Sequence, residues 1–549
     1  MANKVFYDED ARRRVLEGAR ILYEAVKTTM GPKGRNVIID KTYGNPTITH
    51  DGVTVAKAVE IEDRDDETLG YKVGAELIKE AANKMNDAAG DGTTTVTVLT
   101  YHILSEANKL IAAGHNPMQL RKGLEKASAD VIVGLEKMSE DIKMDKKRIR
   151  EVATISAGDF EIGKLIADVI AKVGKDGVVT VEEGQSLELE SEVVEGFTMD
   201  NGFISPYMAT DMTRMEAVYD KPAIVITDGK IASVNDFLPL LEKITTAGKK
   251  DILIIAEDIE GDVLGTLVLN KLKGVLNAVA VKAPAFGERR AEILEDIAIL
   301  TGGRVISEEQ GMTFENVDMD VVGSSRKVIV TKDETTIIEG KGLKAEVADR
   351  INQILAQGEA TTSAYDKENY DNRRAALEGK VAVIKVGGAT ETEIEEKKFR
   401  VDDAVAAVKA ALSEGIVPGG GVTLVDLAQT IEVKGDHTVS AGATLLKNAL
   451  EQPFRILMEN AGENADEWLP QVKASKAGQG VDVNAPNKLV NLKAVGVIDP
   501  TRVTRTAIQS SVSIAGTGMT MGALVAEIPT KEDPAAGMGG GMGSGMMGM

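Results

Sequence analysis

The chain has 549 residues, which at about 150 residues per domain predicts three to four domains rather than one core. Its 64 lysines and arginines against 86 aspartates and glutamates leave a net charge of −22, which disfavours a binder of nucleic acid or anionic membrane that works by neutralising phosphates. With no cysteine and four histidines, His50, His102, His115 and His437, none at metal-ligand spacing, disulfide frameworks, thiolate chemistry and histidine-rich metal sites are excluded, leaving carboxylates, hydroxyls, amides and a borrowed ion.

The first ten residues carry no apolar core of secretory-signal length, which predicts a cytoplasmic, reducing location. From Asp8 to Thr28, Ala11, Val15, Ala19, Leu22 and Val26 form the stripe of an amphipathic helix that stops at Gly31-Pro32-Lys33-Gly34. Short β-like runs at 36–40 and 47–50 flank Tyr43-Gly44-Asn45-Pro46, a hairpin signal. A second helix follows Leu69, Val73, Leu77, Ala81 and Met85 up to Gly90, and a third runs from Thr93 to about Ala113. In the middle, the apolar runs 223–227, 251–256 and 278–281 alternate with helical patterns at 235–244 and 260–272, the signature of an α/β domain with buried strands. Another such strand is expected at 380–386, then helix from Glu391 to Leu412 and alanine-rich helices over 421–450 and 501–525. Residues 506–526 hold no charge but are too polar to span a bilayer, so they read as buried helix and loop. Helix-rich ends around an α/β insert imply a discontinuous domain. The tail from Gly537 to Met549 contains only glycine, methionine and one serine and is expected to be disordered, either as a linker end or as an adaptable apolar brush.

Asp87-Ala-Ala-Gly-Asp91-Gly-Thr93-Thr94-Thr95 sets an acid and a glycine loop directly before a helix whose first turn bears three hydroxyls. Free amides at a helix start attract phosphate, and a carboxylate there suits Mg²⁺; the alternative is a simple capped helix. The 29–34 turn and Val417-Pro418-Gly419-Gly420-Gly421 offer further backbone approaches, although no Walker A loop occurs.

MGPKGRNV (30–37), THDGVTVAK (49–57), NDAAGDGTTT (86–95), KAPAFGERR (282–290), GGVTLVD (420–426), DPTRVTR (499–505) and the Gly/Met tail together resemble the group I chaperonins, the GroEL-like proteins, collinearly over essentially the whole chain. The resemblance implies an α+β, multi-domain chaperonin fold: a mainly α equatorial domain (1–138 and 414–549), a small α/β intermediate domain (139–194 and 382–413) and an α/β apical domain (195–381). It implies an ATPase that folds other proteins in seven-membered rings, paired to a 14-mer, under a GroES-like co-chaperonin lid, with ATP/ADP, Mg²⁺ and K⁺ as ligands.

By matched motif, Thr29, Met30, Gly31, Pro32 and Gly92 to Thr95 (with Thr93 and Thr94) would hold the nucleotide, and Asp91 would ligate Mg²⁺. Gly420, Asn484, Ala485 and Asp499 would line the adenosine. Asp403, in RVDDAV, would orient the attacking water with help from Asp51; a solvated acid on a charged helix is the plain alternative for Asp403. His50 stands where the family has lysine, tolerable if only its carbonyl meets a monovalent ion. Phe203, Tyr207, Met208, Leu238, Leu241, Leu264, Val268 and Leu269 would present an apolar face to unfolded chains, although the helical spacing of Leu264, Val268 and neighbouring Leu267 also suits a core stripe. Gly196 matches a hinge glycine, while Lys380, Asn201 and Asn464 depart from the family pattern.

Overall fold

In the computed structural model, residues 3–40, 46–63, 65–175, 177–184, 186–212, 214–361, 363–433 and 436–528 are described. The turn at 41–45 and the tail lie outside them. The chain divides into two compact units, one from residues up to Ala167 together with those from Gly388 on, the other from Asp168 to Gly387. The three-part division expected from the resemblance is finer than this.

The first unit is helical. Asp8–Val26 opens with Asp8, Glu9 and Asp10, acids that suit the positive end of a helix, and buries Ala11, Val15, Ala19, Leu22 and Val26. It packs on Tyr71–Ala89, which with Thr93–Ala112, Pro117–Met138, His437–Leu450 and Thr501–Gly518 encloses one apolar core. Val37–Ile39 and Thr47–Thr49 pair antiparallel, as the hairpin signal predicts.

Two elements depart from the sequence reading. The uncharged stretch is helix only to Gly518; Ala523–Glu527 is a strand, antiparallel to Asn3–Tyr7. Its side chains alternate, with Leu524 and Ala526 buried and Val525 exposed, the period of a half-buried strand. No turn joins the two runs, and they lie far apart in the sequence, so local patterning could not pair them.

The second unit is built on a mixed sheet of ten strands. Asn277–Lys282, Asp251–Ala256 and Ala223–Thr227 run parallel, are almost wholly buried and are followed or preceded by the helices Val234–Thr246, Gly261–Leu272 and Glu288–Thr301. Gly323–Val330, Thr335–Gly340 and Glu190–Met199 continue it antiparallel, and Lys380–Val386 and Val178–Glu183 close the far edge as a parallel pair. At the expected hinge, Gly196 N donates to Gly379 O at 3.0 Å, and Lys380 pairs in register with Glu195. Asn464 caps the Ala465–Ala474 helix, accepting from Asp466 N at 3.1 Å.

Candidate functional site

A cavity of about 660 Å³ opens within the first unit. That volume lies in the usual range for small-ligand sites. Fifteen positions named from the sequence line it: Thr29, Met30, Gly31, Pro32, His50, Asp51, Asp91, Gly92, Thr93, Thr94, Thr95, Asp403, Gly420, Asn484 and Asp499. Ala485 is not among the lining residues; it is exposed, in a turn where its amide donates to Asp482 O at 2.9 Å.

Two of the helix starts in the lining differ in a way that matters. The Gly52–Ala58 helix is capped by Asp51, whose Oδ1 accepts from Val53 N at 3.0 Å and whose Oδ2 accepts from Thr54 N at 2.8 Å and Thr54 Oγ1 at 2.5 Å. Both oxygens of Asp51 are therefore engaged, and the carboxylate is fixed in orientation. The Thr93–Ala112 helix begins with no side-chain cap. Gly92 precedes it at φ +83°, a left-handed conformation that an L side chain adopts only with strain. Its first amides therefore remain available to an anion, which decides against the simple capped helix. Thr29 Oγ1 and Thr94 Oγ1 stand 3.1 Å apart and join the 27–29 turn to this helix start.

Asp91 sits beside it. Its Oδ1 accepts from Gly92 N at 2.5 Å and its Oδ2 from Ser156 Oγ at 3.0 Å. Withdrawal from water nevertheless raises its pKa above the ordinary carboxylate value, against the pull of those hydrogen bonds, with the charge of Asp51 adding to the rise. Asp499 is pushed up to about 7, first by burial and then by the charge of Asp91. Two carboxylates that each resist ionisation form a place where a dication is welcome. Among the described residues no group of three or more histidines, aspartates and glutamates could hold a metal ion. An ion here would take one or two carboxylates and complete its shell with phosphate and water oxygens, the habit of Mg²⁺.

Helix Glu391–Glu414 supplies the opposite wall through Glu396, Arg400, Asp403 and Ala407, which recur at intervals of four, three and four and so share a face. Asp403 is half-buried there. The basicity of His50 is lowered, mainly by burial and then by Arg400. The sequence reading missed Glu396 and Arg400 although that spacing was visible around Asp403. It also missed Thr154 and Ser156, which arrive from the end of the Lys146–Ala157 helix. Nothing local marked those two; Ser156 matters because the fold returns it to Asp91.

The proposed client face falls wholly in the second unit and divides there. Tyr207, Leu238 and Leu269 are 66 %, 42 % and 56 % exposed, and Leu264 and Val268 are partly buried against the core. Phe203, Met208 and Leu241 are instead core residues, at most 8 % exposed. Phe203 bridges to Val281 at the sheet edge, Met208 takes Ala280 N on its sulfur at 3.2 Å, and Leu241 lies on the inner side of its helix. Leu272 and Val275, exposed beyond Leu269, extend the face in a way the sequence reading did not include. Lys271 Nζ donates to the carbonyls of Tyr207, at 3.1 Å, and Ala209, tying the Tyr207 segment to the Gly261–Leu272 helix.

A model of the TCP-1/cpn60 chaperonin family matches residues 22–529. The chain belongs to this family. The chaperonin fold also aligns with the crystal structure of the chaperonin gp146 from the bacteriophage EL 2 (Pseudomonas aeruginosa), obtained in the presence of ATP-BeFx. The TM-score is 0.64 at 23 % identity, over 96 % of this chaperonin and 99 % of that chain. Both findings agree with the GroEL-like blocks of the sequence. Among the described residues of this chaperonin, no helix is long and apolar enough to cross a membrane.

Proposed function

We propose that this chaperonin binds and hydrolyses ATP in the cavity of its first unit and uses the cycle to fold non-native proteins. The observation that carries the reading is the convergence of Asp91, Asp403 and the uncapped start of the Thr93–Ala112 helix on one pocket. Phosphates would take the amides and hydroxyls of Gly92 to Thr95, while Gly31, Gly420, Asn484 and Asp499 line the rest of the nucleotide. Asp91 would hold Mg²⁺, with K⁺ at the carbonyl of His50. Mg²⁺, when bound, would neutralise charge on the phosphate oxygens. Asp403 would orient the attacking water and take its proton as the water oxygen bonds to the γ-phosphorus and the bond to the β–γ bridging oxygen breaks, giving ADP and orthophosphate. Asp51, locked by its helix, would contribute a fixed field to the water shell rather than a mobile base.

Clients would meet Tyr207, Leu238, Leu264, Val268 and Leu269. The same reading includes three domains, seven-membered rings stacked as a 14-mer, a co-chaperonin lid and a cytoplasmic setting. It is supported by family membership, and imaging of purified particles with and without ATP tests the ring. For the chemistry, Asp403→Ala should bind ATP with near wild-type affinity in calorimetry yet release phosphate at least ~10²-fold more slowly. Undiminished release would remove Asp403 from its role.

A further inference from the structure

We propose that Arg400 distinguishes ATP from ADP in this cavity, exchanging the Glu396 carboxylate for the γ-phosphate. The inference rests on the nucleotide reading just given. Among the described residues lining the cavity, Arg400 is the one lysine or arginine, set against Asp51, Asp91, Glu396, Asp403, Asp482 and Asp499. A triphosphate adds further negative charge to that wall. Phosphoryl-transfer sites answer such charge with a metal ion, backbone amides and a lysine or arginine. The first two functions have residues here without Arg400; the third has this single candidate.

The geometry places Arg400 well for the task. It stands one helical turn before Asp403, on the same face of the Glu391–Glu414 helix, so it approaches whatever Asp403 approaches. Its present partner is Glu396, one turn earlier, with side chains 36 % and 17 % exposed. Glu396 Oε1 is buried and makes no aligned hydrogen bond despite that ion pair. The guanidinium is therefore held by charge and not by a bidentate pairing with Glu396, and a phosphate could accept both arms of its fork.

The test is calorimetric titration of the full-length protein with Mg-ATP and Mg-ADP, in the Asp403→Ala background so that ATP survives the experiment. Arg400→Ala should weaken ATP about tenfold and leave ADP within about twofold, and Arg400→Lys should recover part of the loss as a charge without the planar fork. Glu396→Gln, which frees the guanidinium, should move the ratio the other way by about threefold. Equal losses for both nucleotides, or a ratio unmoved by Arg400→Ala and by Glu396→Gln, overturns the assignment while leaving the ATP reading intact. A protein that binds neither nucleotide overturns both.

Discussion

Asp499 shows how much the pocket strains its own chemistry before a ligand arrives. Its folded-state pKa, about 7, lies above that of an unfolded aspartate because it faces Asp91 away from water. A raised acid stabilises the fold fully below the unfolded value and loses that contribution as pH rises through 7. Nucleotide-free protein should therefore weaken between about pH 4 and pH 7, and Asp499→Asn should remove part of that slope. The variant's advantage in thermal melting should grow to about 2 kcal/mol at pH 8. An advantage that is the same at pH 4 and pH 8 would show that burial does not hold Asp499 protonated. Asp91 and Asp499 could each be named from the sequence, but their mutual effect could not, since 408 positions separate them.

Between elements, backbone proximity takes over from charge. Pro117–Met138 and His437–Leu450 run side by side with their N-termini at the same end, where His115 and His437 stack at 4.9 Å. A Cβ on Gly123 would come within 2.1 Å of Val439 O, and one on Gly442 within 2.2 Å of Leu120 O. Glycine to alanine in an exposed helix gains about 1 kcal/mol, but here the forced separation should dominate. Gly442→Ala should cost about 2 to 3 kcal/mol in denaturant unfolding, and a variant as stable as wild type would mean the helices part without cost. Helices with a strong apolar period were legible in the sequence to within a few residues, because burial of one face imposes the spacing. The terminal strand pair, Ser156 on Asp91 and the partners of Gly442 were not, because each depends on a chain return that no local pattern encodes. The eight positions of the proposed client face came from the family resemblance, and only packing against the sheet separates buried Leu241 from exposed Leu238.

For the molecule as a whole, that separation predicts two different phenotypes from one substitution. Leu269→Ser and Leu238→Ser, on exposed side chains, should leave stability within about 0.5 kcal/mol and abolish capture of an unfolded client in a light-scattering assay. Leu241→Ser should cost about 3 kcal/mol, because it opens a void and buries a hydroxyl. Normal capture by the Leu238 and Leu269 variants would place clients elsewhere. A last consequence follows from the order in which the units are threaded. The sheet unit from Asp168 to Gly387 is one continuous stretch, whereas the cavity is lined by residues from Thr29 to Ala507. On a ribosome the sheet unit can close while the pocket still lacks its last lining residues. Under the proposed function, a chain cut short between Gly387 and Ala507 would carry the apolar face without a complete nucleotide pocket, and completion of synthesis would be the step that supplies it.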